Sequence, residues 1–167
     1  MFMQAVCPIE DTLFTTIHKT WHWKPAYYVM QGVSATAHPA VEVCTPALFF
    51  LAGRQDVGEQ NICGLMGCYV AVVSLKALVD RQRPYGVHDR WDSSFPSGHT
   101  AAAFLQSYVI GHHYPEYRIP LYAYATAVGF SRIYLGKHYP TDIIVGAALG
   151  LIAGYVTTRL LDNDMSE

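Results

Sequence analysis

Apolar residues along this chain recur at helical spacing or fill whole segments, and no stretch alternates apolar and polar positions as a half-buried strand does. The pattern predicts a short amphipathic helix near residues 10–20 and then a loop holding "WHWKP". Apolar helices follow at about 38–53, 57–80, 98–111, 119–134 and 140–161. Turn signals punctuate them: "GRQD" after 38–53, "RPYG" after 57–80 and "HHYPEY" after 98–111. The fold expected is all-α, an up-and-down bundle of about five to six helices. Nothing between residues 1 and 167 reads as a linker, long repeat or low-complexity tract, so a single domain is expected.

The last helix is the most apolar. Residues 143–158 carry no charge, and Gly146, Gly150 and Gly154 recur every four residues along one face. That spacing lets a second helix approach closely, as small residues do in membrane bundles. The uncharged runs are about 14 to 17 residues long, at or just below the roughly 17 to 25 that cross a bilayer. Glu42, Glu59, Lys76 and Arg132 interrupt or bound the apolar segments, and the mean hydropathy is a modest +0.16. Membrane embedding is the expectation, with inward-facing charges at a functional site as the exception such spans allow. A soluble or peripheral bundle is the alternative.

Composition sharpens this. Hydrophobic residues make up 51% and charged residues 14%, against roughly 25% charged in an ordinary soluble domain. A net charge of −2 supplies no basic field, which argues against a nucleic-acid partner. The four cysteines form no C-x-x-C pair and are too few to scaffold a chain of this size. The N-terminus lacks a basic start followed by an apolar run, so it does not read as a cleavable signal peptide. No obligate protein partner is evident.

The polar residues gather in three clusters, each at a helix end. The first is "KALVDRQRP", in which Lys76 and Arg83 are seven apart and point to one side of a helix and its frayed end. Pro84 turns Arg83 out of the helical ladder. Alone, this cluster reads better as a basic helix terminus favoured by the dipole. The second is "PSGH": Ser97 and Gly98 open a helix whose free N–H groups suit an anion, and His99 follows in the first turn. Alone, it is equally a serine N-cap beside an incidental histidine. The third is "SRIYLGKHYPTD", where Pro140 suits the first turn of the last helix and His138 lies four residues before Asp142. The carboxylate can then fix the tautomer and orientation of the imidazole, which makes His138 a nucleophile or a base. A metal pair would need third and fourth ligands, and none stands at sensible spacing. His112 and His113 are expected in a solvated loop facing away.

Helix direction brings the clusters together. Helix 57–80 runs toward its charged end, 98–111 runs away from Ser97, 119–134 returns with Arg132, and the last helix departs from His138. Arg54, Arg118 and Arg159 fall at the opposite end. Three cations around a helix N-terminus make a site for a phosphate-sized anion.

These residues resemble the type 2 phosphatidic acid phosphatase superfamily, which also contains bacterial acid phosphatases and vanadium haloperoxidases. The family pattern reads here as Lys76…Arg83-Pro84, then Pro96-Ser97-Gly98-His99, then Ser131-Arg132…His138…Asp142, with every position matched across residues 76–142. The resemblance implies that His138 attacks phosphorus and forms a phosphohistidine, with Asp142 orienting it. It implies that His99 protonates the leaving oxygen and then activates water. Lys76, Arg83 and Arg132, the Ser97 hydroxyl and the Gly98 N–H would hold the phosphoryl oxygens. No metal or other cofactor is implied for the phosphatase.

In membrane members of that family the site opens on the extracytoplasmic face, and the substrates are lipid phosphates or polyprenyl pyrophosphates. The loop Tyr85–Ser94 is then expected beside the entrance, with Trp91 against an acyl or prenyl chain or anchoring at the interface. Two alternatives keep the same site: a soluble acid phosphatase, and a vanadium-dependent haloperoxidase, whose chains are much longer.

Overall fold

Prolines set four of the helix starts, each in the first turn, where the missing N–H costs nothing. The computed structural model describes residues 7–85 and 93–164. Among them the chain forms seven α-helices: α1 (Pro8–Thr15), α2 (Lys24–Thr36), α3 (Pro39–Leu51), α4 (Gln55–Val79), α5 (Gly98–His113), α6 (Arg118–Tyr134) and α7 (Pro140–Asp164). A π-helical turn over Thr16–Thr20 continues α1, and a 3-10 turn over Pro115–Tyr117 leads into α6. Trp91 lies outside the described residues.

The all-helical bundle is as the pattern predicts, but α2 is an addition. Its sequence holds Tyr27, Tyr28, Val29, Gly32, Val33, Ser34 and Thr36, all middling or poor helix formers. Packing sustains it instead: Val33 and the adjoining Ala37 lie against Ala103, Ala125 and Val128 of α5 and α6.

Helix α5 is the axis of the molecule. Thr100, Ala101, Ala102, Ala103, Leu105, Ser107 and Val109 are all buried, so small side chains let neighbours close in from several sides. Val57, Leu65, Cys68 and Val72 of α4 pack against one side of it. The glycine face of α7 packs against another. A Cβ on Gly150 would lie 2.1 Å from the Ala101 carbonyl oxygen, and one on Gly146 would lie 2.6 Å from that of Ser97. No side chain fits there, so the two backbones meet directly, as the four-residue glycine spacing predicts.

The outer faces of α4 and α7 are apolar. Met66, Val70 and Val73 on α4, and Ile144, Ile152 and Leu160 on α7, are exposed. Gln55–Val79 and Pro140–Asp162 have mean hydropathies of 2.0 and 1.7 over their most apolar windows, with only 22% of each window buried. Helix α4 is 25 residues long, or roughly 37 Å, ample for a hydrocarbon core of about 30 Å.

Two local expectations need correction. Helix α4 ends at Val79, where Asp80 turns left-handed (φ 47°) and its N–H caps the Lys76 carbonyl. Arg83 therefore reaches the site on an irregular segment, not on the helix face that carries Lys76. His112 and His113 do lie at the far end, but they close α5 rather than a loop and are paired, with His112 exposed and His113 half-buried. His112 meets Asp162 at 2.9 Å, and His113 meets Gln60 at 2.8 Å. The ends of α4, α5 and α7 are thereby tied together.

Candidate active site

At the opposite end the three sequence clusters meet. The backbone builds the junction first. Ser97 N–H donates to the Asp142 carbonyl at 3.0 Å, which joins the start of α5 to the first turn of α7. Ser94 N–H donates to the Arg81 carbonyl at 2.8 Å, which joins the segments after α4 and before α5. His138 N–H donates to the Arg132 carbonyl at 3.3 Å, closing the turn from α6 to α7.

His138 sits in this junction and is almost wholly buried. Its Nδ1 is 2.7 Å from the Ser94 carbonyl oxygen and 3.5 Å from Asp142 Oδ2. Both are acceptors, so Nδ1 carries the proton. Its Nε2 is 3.2 Å from Nη1 of Arg83, a donor without acceptor capacity, so Nε2 is the unprotonated nitrogen. The ring is thus fixed as one neutral tautomer with its lone pair facing a cation. Burial drives the His138 pKa down to about 4; Asp142 pulls it upward, and Arg83 and Arg132 push it lower.

The tautomer partner nearest to Nδ1 is therefore a backbone carbonyl rather than the carboxylate four residues on. Asp142, fully buried, gives Oδ2 to the Tyr139 N–H at 2.8 Å and Oδ1 to Arg81 at 2.7 Å. Arg81 in turn reaches Glu10 of α1 at 2.7 Å. Neither Arg81 nor Glu10 emerges from sequence reasoning. Arg81 shares the "KALVDRQRP" stretch with the two basic residues that do, but Glu10 has no signal that links it to a residue 71 positions away.

The remaining predicted residues surround the same spot. Arg83 Nη1 also donates to the Lys137 carbonyl at 3.0 Å. Arg132 donates to the Ser34 hydroxyl of α2, while its Nε is buried without a protein acceptor. Lys76 donates to the Ser93 carbonyl. Ser97 is fully buried at the N-cap of α5, and its hydroxyl accepts from Thr100 at 2.9 Å rather than capping its own helix. Gly98 follows, and a Cβ there would meet only Val72 at 3.7 Å, so packing alone does not demand glycine.

His99 opens into a pocket of about 290 Å³ between α2 and the ends of α5 and α6, lined by Tyr27, Gln31, Ser34, His38, His99 and Arg132. The His38 ring lies edge-on to His99, centroids 6.5 Å apart, and its Nδ1 caps α3 by accepting from the Ala40 N–H. Burial lowers the His99 pKa to about 3, and the charge of Arg132 adds to the effect. The unpredicted α2 thus supplies one wall of the pocket. Among the described residues no three His, Cys, Asp or Glu side chains gather as a metal-holding group.

His99 and Arg132 line this pocket, and the adjoining junction holds His138, Arg83 and the start of α5; such a set can bind a phosphoryl group and attack it. The comparisons agree with that chemistry. The model of the family described as the PAP2 superfamily matches residues 61–166. An undecaprenyl-diphosphatase of Bacillus subtilis (strain 168) is 35% identical over 160 residues, covering 90% of this chain and 83% of that protein. A lipid A 1-phosphatase of Rhizobium johnstonii is 39% identical over 69 residues, covering 40% of this chain. The chain spans only 27% of that phosphatase's length. The crystal structure of LpxE from Aquifex aeolicus superposes with a TM-score of 0.85 at 27% identity, over 95% of this chain and 99% of that one.

Proposed function

The chain belongs to the PAP2 superfamily, and on that premise we propose that it is a membrane phosphatase which removes phosphate from a lipid phosphate or polyprenyl diphosphate through a phosphohistidine. The observation that carries this reading is the His138 ring: Nδ1 donates to Ser94, and the Nε2 lone pair faces the Arg83 guanidinium. A phosphoryl group drawn to Arg83 arrives at the nucleophilic nitrogen.

In the first step Nε2 of His138 bonds to phosphorus as the bond to the leaving oxygen breaks, and His99 gives that oxygen its proton. Burial first, and then the Arg132 charge, lower the His99 pKa; a phosphate anion beside the ring acts in the opposite direction and favours the protonated, donating form. In the second step His99, now neutral, accepts a proton from water; the water oxygen bonds to phosphorus and the P–N bond breaks. Asp142 stabilises the positive phosphohistidine between the two steps. Lys76, Arg83 and Arg132, with the Ser97 hydroxyl and the Gly98 N–H, hold the phosphoryl oxygens. The buried Nε of Arg132, with no acceptor among the described residues, supports this role, since an anion would satisfy it. Three cations meet the charge demands of a loose phosphoryl transition state without a metal.

The outward apolar faces of α4 and α7 favour an integral membrane protein over the soluble alternative. The site is assigned to the extracytoplasmic face and to a single domain over residues 1–167, in keeping with the family resemblance. Phosphate release by the full chain in detergent from farnesyl diphosphate, phosphatidic acid, phosphatidylglycerol phosphate and p-nitrophenyl phosphate, with and without a metal chelator, tests the activity. Turnover of at least one lipid substrate, unchanged by chelation, is expected. Turnover that requires added magnesium contradicts it.

A further inference from the structure

Behind His138, Asp142 is tied into a buried ion network whose other charged members, Arg81 and Glu10, have no part in the proposed reaction. Arg81 is 4% exposed, Glu10 7% and Asp142 0%. Arg81 Nη1 donates to Asp142 Oδ1 and to the Thr141 hydroxyl, both at 2.7 Å, and Nη2 donates to Glu10 Oε2 at 2.7 Å. Glu10 Oε1 accepts from the Thr141 N–H at 3.0 Å and from the Thr141 hydroxyl. The guanidinium carbon lies 4.3 Å from the centroid of the Tyr139 ring. The Arg81 backbone is equally engaged: its N–H donates to Ser93 Oγ at 3.0 Å, and its carbonyl accepts from Ser94 N–H. Ser94 is the residue whose carbonyl receives the Nδ1 proton of His138. One arginine thus fixes both acceptors that face Nδ1, the Ser94 carbonyl through its backbone and the Asp142 carboxylate through its side chain.

We propose that Arg81, braced by Glu10, is a positioning residue that partly neutralises Asp142 and so extends toward acid the range in which the His138 imidazole is uncharged, with its Nε2 lone pair available for attack. The proposal rests on the reading of His138 as the nucleophile. The groups around that ring come from every neighbouring element. Asp142 lies on α7, Arg83 and Arg81 on the segment after α4, Arg132 on α6, His99 on α5, and the Ser94 carbonyl on the segment before α5. Lys76 of α4 is held at the Ser93 carbonyl. Asp142 is the carboxylate that acts on the ring directly. Left uncompensated, it would favour a second proton on the ring and bring that protonation in at higher pH, and an imidazolium has no lone pair. Arg81 occupies Oδ1 and shares the charge. Glu10 in turn shares the guanidinium with Asp142, so that Arg81 offsets only part of the Asp142 charge.

This arrangement has an electrostatic signature that a tie of merely structural value lacks. Arg81 and Glu10 move the titration of His138 in opposite directions. Without the cation, Asp142 acts at full strength and the ring protonates at higher pH. Without the Glu10 charge, Arg81 acts more strongly and the ring protonates at lower pH.

The test is the acidic limb of kcat/KM for p-nitrophenyl phosphate, measured on the full chain in detergent, where ionisation of the probe is common to every variant. Arg81→Gln should raise the limb by roughly half to one pH unit, and Glu10→Gln should lower it. Arg81→Lys keeps the charge but cannot bridge two carboxylates, so its limb should stay in place while the rate falls. Glu10→Gln and Arg81→Lys preserve shape or charge, so the comparison stands even if Arg81→Gln fails to fold. Limbs that coincide with wild type in Glu10→Gln and in any folded Arg81→Gln would overturn the proposal, whatever happens to the rates. Phosphate release that survives His138→Ala would overturn the underlying reading instead, and this proposal with it.

Discussion

The guanidinium of Arg83 rests against the ring of His138, with Nη1 3.2 Å from Nε2. Binding group and nucleophile therefore converge on one point, and an anion held by Arg83 is within reach of the lone pair. Arg83→Lys keeps the charge but loses the planar fork. It should lower kcat/KM by about 100-fold and weaken inhibition by vanadate in parallel. Unchanged vanadate inhibition in that variant would contradict the shared site.

The two histidines should separate by leaving group. His99→Ala removes the proton donor, which an alkyl or lipid leaving group needs and a p-nitrophenolate scarcely needs. The variant should lose about 100-fold or more of its activity on a lipid phosphate but form the phosphoenzyme from p-nitrophenyl phosphate and hydrolyse it slowly. Steady-state and single-turnover rates on both substrates check this. Equal losses in the first step on both would contradict an acid role for His99.

Acid should act on stability as well as on rate. His138 is neutral in the fold down to about pH 4, whereas in the unfolded chain it titrates near its ordinary value. Between those two values the unfolded state binds more protons, so stability falls as pH drops through that window. For this fully buried ring the loss is about 3 kcal/mol at most. Denaturant midpoints of wild type and His138→Gln should converge as pH falls from 7 to 4. A constant separation would mean that the ring titrates in the fold as it does in the unfolded chain.

The contact of α5 with α7 should tolerate no side chain at Gly150, where a Cβ would lie 2.1 Å from the Ala101 carbonyl oxygen. Gly150→Ala should destabilise by about 1–3 kcal/mol. It should also lower kcat, because the same helix pair holds Ser97 against Asp142. Thermal unfolding and turnover of that variant test the claim. Wild-type behaviour in both would show that the helices can part without cost.

Much of this site was legible because its chemistry needs particular residues at fixed spacings. Lys76, Arg83, Ser97, Gly98, His99, Arg132, His138 and Asp142 stand near helix ends, and helix direction alone collects them. The glycine face of α7 was legible for the same reason, since its period matches the helix. Other parts had no such signal. Helix α2 mixes good helix formers with middling or poor ones and depends on burial against α5 and α6. The partner of His138 Nδ1 is a main-chain carbonyl, and any residue at position 94 carries one. Glu10 reaches the site across the whole length of the chain, through a contact that only the fold creates. His112 and His113 resemble a polar loop in sequence and are instead the paired end of a helix.

The central claim, covalent catalysis at His138, is tested most directly by trapping the intermediate. His99→Ala should be mixed with 32P-labelled p-nitrophenyl phosphate and quenched in base, because its phosphoenzyme is expected to persist. The account predicts an acid-labile, base-stable label on His138 that is absent when His138→Ala is combined with it. A label on another residue, or turnover of the probe by His138→Ala without any covalent label, would contradict the account.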